Sequence, residues 1–193
     1  VLGGEAAHGM IVLSPRAVER LESYTPVWPL PKLFRMTKGG KLNKGIFEGS
    51  TINTPSLIAT WDCLDSLHWV QSIGGLQGTI ERTKNNAAEL DKWVRSTDWV
   101  DYLPVSEDIR SRTSVCLKIT DTWFAEKSND DQAAFIKKLS QTLADEDVAY
   151  DVNSYRTAPP GLRIWCGATV EASDINALVP WLDWAYQFLK ENE

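Results

Sequence analysis

The sequence predicts a mixed α/β chain, with an α/β segment followed by a small α+β layer. An apolar run at residues 10–13 precedes helical spacing at 15–23, and a strand followed by a helix is the rhythm of α/β proteins. From residue 114 onward the pattern predicts strand, helix, strand, strand and helix. That order is typical of a small α+β domain.

The first part of the chain alternates short elements with a long irregular stretch. Residues 10–13 are predicted to form a buried strand and residues 15–23 a short helix. Prolines and glycines recur through residues 24–49, which disfavours any long regular element there and predicts an extended excursion. Residues 55–72 have helical apolar spacing, so a mostly buried helix ending near Gly74 is expected.

The second part predicts longer elements, beginning with an amphipathic helix over residues 76–95. Its inward side chains are expected to be Ile80, Ala87, Leu90, Trp93 and Val94, and its outward ones Arg82, Lys84, Asn86 and Lys92. Strands are expected at residues 114–119, 148–152 and 162–166, and helices at 130–145 and 173–190, the last capped by Ser173.

Composition excludes several classes of protein. The net charge of −6 and the scattered basic residues argue against nucleic-acid binding, because phosphate neutralisation needs clustered Lys and Arg. No apolar run approaches the roughly 20 residues that cross a bilayer. The opening residues show neither the basic head nor the apolar core of a signal peptide. These features predict a cytoplasmic protein without nucleic-acid or membrane partners.

Cysteine and histidine usage gives no metal site. Cys63, Cys116 and Cys166 are far apart and lack CxxC spacing, which favours reduced thiols in the cytoplasm over a disulfide framework or a zinc site. His8 and His68 are the only histidines, too few for a His-based cluster.

Residues 50–56 form the first candidate binding site. Thr54 suits a helix N-cap and Pro55 the first helical position. A helix start offers free backbone N–H groups, and Asn53 and Thr54 can add side-chain donors, so the stretch could bind an anion or a phosphate. The alternative is that Thr54 and Pro55 simply begin a helix.

Several cationic side chains are further candidates. Arg163 interrupts an apolar strand, and its guanidinium either makes a structural ion pair or binds a ligand carboxylate. Arg156 lies on the irregular segment before that strand and could bind a second anionic group or remain solvated. The turn at residues 110–112 is a weaker case of the same kind. His8 could contact a ligand as neutral imidazole, or simply bond to backbone.

These motifs together resemble a known family, the phosphoserine aminotransferases of aminotransferase class V, which are pyridoxal-phosphate enzymes of fold type I. The resemblance runs through nearly the whole chain in order. It rests on the Gly3-Gly4-Glu5 loop, Gly49-x-Thr51-x-Asn53-Thr54-Pro55, Arg110-Ser111-Arg112, and Tyr155-Arg156 ahead of Leu162-Arg163.

The resemblance implies an architecture and a set of site residues. Residues 1–75 would be the C-terminal part of the large cofactor-binding domain, and residues 76–193 the small α+β domain. Asn53 and Thr54 would donate to the phosphate of pyridoxal 5'-phosphate across a dimer interface. Arg163 would hold the substrate α-carboxylate. Arg156 would bind the phosphate of phosphoserine, although many members carry histidine near this point, and His8 is kept as a substrate-binding candidate.

The resemblance also implies a reaction and an oligomer. The family interconverts O-phosphoserine and 2-oxoglutarate with 3-phosphohydroxypyruvate and glutamate in serine biosynthesis, and the expected active form is a homodimer with composite sites. The Schiff-base lysine would lie just before Val1, so the chain is expected to be the C-terminal half of a longer polypeptide. The alternatives are another class V aminotransferase, acting on alanine, serine or glyoxylate, or a non-catalytic interaction domain.

Overall fold

The computed structural model describes residues 8–192 of the chain. It divides into two compact units, the first up to Trp69 and the second from Val70. The predicted boundary between residues 75 and 76 refers to the domains of a complete aminotransferase and stays a prediction. The Gly3-Gly4-Glu5 loop lies outside the described residues.

The first unit begins with a short helix where the sequence predicts one. Helix α1 spans Pro15–Ser23, with Pro15 at its first position and the Ser14 hydroxyl accepting the N–H of Ala17 at 3.2 Å. The strand predicted at residues 10–13 is wrong, because these residues pair with no strand in the described part of the chain. A strand needs a hydrogen-bonded neighbour as well as apolar side chains, and Val12 is 95% exposed.

The long irregular stretch contains only short elements, as predicted. Strands β1 (Thr37–Lys38) and β2 (Lys41–Leu42) form an antiparallel hairpin. Its turn places Gly39 and Gly40 at φ values of 60° and 74°, and the two-residue turns that suit such hairpins favour glycine at positive φ. Two 3-10 turns, Lys32–Phe34 and Lys44–Glu48, complete the segment.

Two helices follow in sequence. Helix α2 spans Leu57–Ser72 and α3 spans Gly75–Ser96, and the chain turns between them at Gly74, which has a φ of 99°. The predicted end of α2 is confirmed. Its predicted burial is wrong, since Cys63 is its only buried residue and Leu57 is 81% exposed. The apolar spacing identified a helix but could not show which element covers it.

The second unit is built on a three-stranded antiparallel sheet in the order β3-β4-β5. The strands are β3 (Val100–Tyr102), β4 (Ser114–Ile119) and β5 (Leu162–Trp165). Helices α4 (Thr122–Ala125), α5 (Asn129–Asp145) and α6 (Ala172–Glu191) join α3 to complete the unit. This arrangement confirms the predicted α+β layer, although β3 and α4 are not predicted from the sequence.

The core of the second unit lies between one face of the sheet and the helices. Its buried side chains come from alternate positions of the strands and from the apolar faces of α3, α5 and α6. They include Leu90, Val115, Leu117, Phe135, Leu139, Leu143, Leu162, Ile164, Leu182, Tyr186 and Leu189. Trp99 stacks on Tyr186 with 4.1 Å between ring centroids. The indole N–H groups of Trp93 and Trp99 both donate to Asp183, at 3.0 and 2.8 Å.

Two local predictions in this unit are wrong. Residues 148–152 do not form a strand, because the segment makes only single backbone contacts with β5, such as the N–H of Arg163 donating to the Val152 carbonyl at 2.9 Å. The N-cap of α6 is Glu171 rather than Ser173, in a reciprocal capping box with Asp174.

The largest error in the prediction for α3 concerns the orientation of Asn86. It is predicted to face outward, yet it is 2% exposed, and its amide nitrogen lies 3.3, 3.0 and 2.9 Å from the carbonyl oxygens of Cys166, Gly167 and Val170. A buried amide is tolerated when its donors are satisfied. Asn86 therefore ties α3 to the turn that follows β5. Ile80, predicted to face inward, is 37% exposed.

The structure adds three general observations. None of the helices in the described part of the chain has the length and apolar character needed to cross a lipid bilayer. Within residues 8–192, no group of three or more His, Cys, Asp and Glu side chains is arranged to hold a metal ion. The cysteines are free thiols, and burial raises the pKa of Cys166 to about 12.

Candidate functional site

The loop ahead of α2 carries the first candidate site. Gly49 adopts a left-handed conformation with φ 94°, and the N–H of Ser50 donates to the Gly45 carbonyl at 2.8 Å. The Thr51 hydroxyl then donates to the Asn53 carbonyl at 2.6 Å. These bonds hold the backbone turn that carries Asn53, while its side chain remains exposed.

Helix α2 begins two residues later than predicted. The Ser56 hydroxyl accepts the N–H of Ala59 at 3.3 Å and the Ser56 carbonyl accepts that of Thr60 at 3.1 Å, so Ser56 is the N-cap. Thr54 is therefore not a cap, and Pro55 lies before the helix. Any anion bound at Asn53 and Thr54 would meet their side chains rather than the first N–H groups of α2.

Asn53 and Thr54 are nevertheless suited to accept a ligand. Both are exposed, and neither side chain has a hydrogen-bond partner among the residues that the structure describes. The Asn amide offers two donors and the Thr hydroxyl one. Their predicted contact with a cofactor phosphate stays a prediction.

His8 has a backbone partner. Its Nε2 lies 2.9 Å from the Ala59 carbonyl oxygen, and because a carbonyl only accepts, Nε2 carries the proton. The contact joins the segment before α1 to the first turn of α2 within the first unit. It corresponds to the alternative of a backbone-bonded histidine, and the substrate role of His8 stays a prediction.

Arg163 lies on the face of the second unit's sheet that is turned away from the helices. It is opposite Cys116 in the β4–β5 register, and its Nη2 lies 2.5 Å from Asp151 Oδ2. The Arg163 side chain is 30% exposed and that of Asp151 75% exposed. Such exposed pairs stabilise a protein by only about 0–1 kcal/mol. The pair corresponds to the alternative of a structural ion pair, and the role of Arg163 in binding a substrate carboxylate stays a prediction.

Arg156 lies in an exposed turn in which the N–H of Ala158 donates to the Tyr155 carbonyl at 2.9 Å. The turn and helix α5 enclose a cavity of about 300 Å³. Arg163 lines a different cavity of about 250 Å³ together with Asp151 and Trp165. The two predicted anion-binding arginines thus belong to one unit but not to one cavity.

Comparison with known proteins identifies relatives along the whole chain. The sequence is 56% identical over 190 residues to phosphoserine aminotransferase of Methanosarcina barkeri (strain Fusaro / DSM 804), covering 98% of this chain and 49% of that protein. It is 55% identical over 190 residues to the Methanosarcina mazei protein of the same name, with the same coverage. The chain is a homologue of the phosphoserine aminotransferases.

This phosphoserine aminotransferase homologue spans about half the length of the curated relatives it matches, and corresponds to their C-terminal half. No protein-family model matches the sequence. The predicted resemblance is therefore confirmed by similarity to individual proteins rather than by a family model.

Solved structures establish the fold. The chain superposes on phosphoserine aminotransferase from Bacillus circulans subsp. alkalophilus with a TM-score of 0.59 and 18% identity, covering 74% of this chain and 36% of that one. A pyridoxal-phosphate-bound phosphoserine aminotransferase from Trichomonas vaginalis gives 0.57 at 18% identity, covering 72% and 36%. These likenesses confirm the predicted fold class, that of fold-type-I enzymes.

Three further residues, Arg110, Lys137 and Cys116, have structural positions that the sequence patterns do not predict. Arg110 has a structural role, because its Nε donates to the Pro104 carbonyl at 3.2 Å and its guanidinium lies 4.1 Å from the Tyr102 ring centroid. Lys137 lines the cavity of Arg156 but carries no sequence signal, since an exposed helical lysine is commonplace. The position of Cys116 opposite Arg163 depends on the strand register, which the sequence pattern alone does not reveal.

Proposed function

We propose that this chain supplies the anion-binding half of a pyridoxal-phosphate-dependent phosphoserine aminotransferase. The complete protein would interconvert O-phosphoserine and 2-oxoglutarate with 3-phosphohydroxypyruvate and glutamate, as a step of serine biosynthesis. The observation that carries the proposal is the 56% and 55% identity to two phosphoserine aminotransferases across 98% of the chain. The names of these relatives favour this reaction over one on alanine, serine or glyoxylate.

The loop ahead of α2 fits a cofactor phosphate. Asn53 and Thr54 present exposed donors without partners in the described part of the chain, and no acidic residue lies between Gly49 and Ser56. Both residues would donate to the phosphate and fix its position. When bound, pyridoxal phosphate supplies an electron sink for the carbanion at the amino acid Cα. The catalytic lysine expected just before Val1 stays a prediction.

Arg163 would orient the substrate by binding its α-carboxylate. A guanidinium can bind a carboxylate through two parallel N–H bonds, which sets direction as well as distance. The bond from the Arg163 N–H to the Val152 carbonyl and the register opposite Cys116 hold the backbone beneath the side chain. Asp151 keeps the guanidinium in place until substrate replaces it.

Arg156 would bind the phosphate of O-phosphoserine. It has no ion-pair partner within residues 8–192, so its charge is available to a ligand. Arg156 and Arg163 line different cavities, so each would bind a different anionic group of the substrate. We also propose that the active form is a homodimer with composite active sites.

The exposed apolar side chains of the first unit support the same proposal. Trp28, Leu57, Ile58 and Trp61 are each at least 75% exposed, and large apolar surfaces of this kind commonly mark interaction sites. We propose that these side chains are covered by a partner subunit and by the N-terminal half that the relatives possess in addition to the region matched here. The three unpaired cysteines support a cytoplasmic location.

Kinetics of the complete protein test the substrate assignment. Arg156→Ala should raise the KM for O-phosphoserine roughly 10- to 100-fold, the effect of losing one hydrogen bond to a charged group. It should change the KM for an amino donor without phosphate little. Arg95→Ala, an exposed arginine on α3, is the matched control. Equal losses for both donors would contradict the phosphate role.

A non-catalytic interaction domain is the rival function. It predicts an intact polypeptide near 21.6 kDa that gains no cofactor absorbance when titrated with pyridoxal phosphate. A longer polypeptide that binds pyridoxal phosphate, with binding weakened by Asn53→Ala, would exclude this rival. Mass spectrometry and an absorbance titration therefore decide between the two without an activity assay.

A further inference from the structure

The last helix of the second unit carries an aromatic cluster that the proposed function does not use. Trp181, Trp184 and Phe188 lie on one face of α6, beside its buried face, and are 38%, 40% and 45% exposed. A cavity of about 410 Å³ is lined by Glu146, Pro180, Trp181 and Trp184. We propose that this cavity binds a small molecule that carries a quaternary ammonium group.

The two indoles form preformed walls of the cavity. The ring centroids of Trp181 and Trp184 are 5.3 Å apart and their planes meet at 84°. Trp184 also stacks on Phe188, with 5.4 Å between centroids and 15° between planes. Because these rings are three and four residues apart on a helix, they hold one another before a ligand arrives, which lowers the entropy lost on binding. Indole faces attract cations more strongly than other aromatic rings do.

Glu146 supplies the negative charge of the cavity. It is the C-cap residue of α5, and within residues 8–192 its carboxylate has no hydrogen-bond or ion-pair partner. The helix dipole places further negative partial charge at this end of α5, and the last turn of the helix contains no basic residue. A cation bound against the indoles would therefore offset a charge that the described part of the chain leaves uncompensated.

The chemistry of the lining favours a quaternary ammonium group over a primary ammonium or a guanidinium. The Glu146 carboxylate is the only side-chain acceptor in the lining, since the indole N–H groups donate. A primary ammonium carries three N–H donors and a guanidinium five, so most would gain no partner there. A quaternary ammonium has no N–H, and its alkyl groups can pack against the indoles and Pro180.

The size of the cavity indicates a small ligand. Its volume of about 410 Å³ lies within the range of roughly 300–1,000 Å³ that small-molecule sites occupy. A stable protein partner would need an interface of more than about 1,000 Å², far more than four lining side chains provide. A free molecule is therefore the occupant that fits the cavity best.

Another tryptophan of the same unit shows how this site differs from an internal contact. The Lys127 ammonium lies 4.0 Å from the centroid of the Trp123 ring, so a cation of the chain already occupies that ring. Within residues 8–192, neither Trp181 nor Trp184 has such a partner. Their exposed rings lie instead beside the unpaired carboxylate of Glu146.

The binding test uses the complete protein and two probes of similar size, tetramethylammonium and the neutral tert-butanol. Ligand-observed proton NMR should show saturable binding of tetramethylammonium, at least about tenfold tighter than that of tert-butanol. Trp184→Leu keeps an apolar side chain but removes the ring, and should weaken tetramethylammonium binding about tenfold. Trp28→Leu, an exposed tryptophan outside the cavity, is the control and should change nothing.

A charge-removal pair tests the carboxylate without disturbing the packing of α6. Glu146→Gln should weaken tetramethylammonium binding about fivefold, the effect of losing an exposed ion pair. Glu191→Gln removes the same charge from an exposed position on α6 outside the cavity and should leave binding unchanged.

Four results would overturn the proposal. They are the absence of tetramethylammonium binding to the complete protein, equal binding of tert-butanol, equal effects of Glu146→Gln and Glu191→Gln, and equal effects of Trp184→Leu and Trp28→Leu. A trimethyllysine peptide that binds much more tightly than tetramethylammonium would contradict the assignment to a small molecule. The readout does not involve transamination, so failure of the proposed function would leave the result unchanged.

Discussion

The two units of the chain differ in how their apolar residues are used. In the second unit, four helices and a sheet bury more than twenty hydrophobic side chains in one core. In the described part of the first unit, Cys63 is the only buried hydrophobic residue, while Val12, Trp28, Leu57 and Trp61 are largely exposed. Both units contain well-formed local structure. We therefore expect the second unit to be stabilised mainly by its own core, and the first to depend less on buried side chains.

Core truncation should give the largest difference between the units. Phe135→Ala should lower the free energy of unfolding by about 3–5 kcal/mol, because the ring is buried against Trp123, Phe124 and Tyr186. Leu57→Ala in the first unit should change it by no more than about 0.5 kcal/mol. Urea unfolding of the 193-residue polypeptide, followed by circular dichroism, measures both. A large loss of unfolding free energy in Leu57→Ala would mean that α2 is covered in solution and would contradict the difference between the two units.

The buried amide of Asn86 should give the next largest effect. Asn86→Ala should destabilise the second unit by about 1–3 kcal/mol, because the carbonyl groups of Cys166, Gly167 and Val170 lose a buried donor. Asn85→Ala, at the exposed neighbouring position, serves as the control and should be nearly neutral. Urea midpoints of the two variants check this, and equal midpoints would contradict the role of Asn86.

Within the first unit, the N-cap residue Ser56 and the nearby Thr54 should differ in their effect on helix stability. Ser56→Ala should cost α2 about 1 kcal/mol, since its hydroxyl accepts the N–H of Ala59. Thr54→Ala should leave the helix unchanged and, under the proposed function, weaken cofactor binding in the complete protein. Circular dichroism and an absorbance titration separate the two effects. Loss of helix in Thr54→Ala would restore Thr54 as the cap.

The smallest expected effect is a pH dependence in the second unit. The Lys190 ammonium and the Tyr186 hydroxyl, both bonded to Asp121, lower the pKa of that carboxyl. Because the folded pKa is below the unfolded value of about 3.9, the stabilisation is complete above that value and is lost as pH falls through the folded pKa. Asp121→Asn should therefore flatten the fall in urea midpoint at acidic pH. An unchanged pH profile would contradict this assignment.

Much of the secondary structure could be predicted because it depends on local chemistry. Helix α1, strand β4 and the end of α2 follow from proline and serine at a helix start, from alternation of apolar residues, and from glycine at a turn. The errors at residues 10–13 and 148–152 share one cause. Apolar residues there suggest a strand, but pairing depends on a neighbour that no local pattern reveals.

The residue types of the candidate site could also be predicted from the sequence, whereas their contacts could not. Asn53, Thr54, Arg156 and Arg163 could be chosen from their residue types and their resemblance to a family, and their roles remain predictions. An ion pair of Arg163 and a backbone bond of His8 were among the predicted alternatives, but their partners, Asp151 and Ala59, could not be predicted because they lie 12 and 51 residues away. Lys137 has no distinguishing local signal, because only its place beside a cavity separates it from other exposed lysines.

Local sequence patterns were enough to predict the α/β class, most helix positions, the resemblance to phosphoserine aminotransferases and the residue types available to bind anions. They were enough because propensity, capping and alternation act over a few residues. Three features became visible only in the folded chain: Asn86 is buried, Ser56 begins α2, and Lys137 lines the cavity of Arg156. Those outcomes depend on which distant segments pack together.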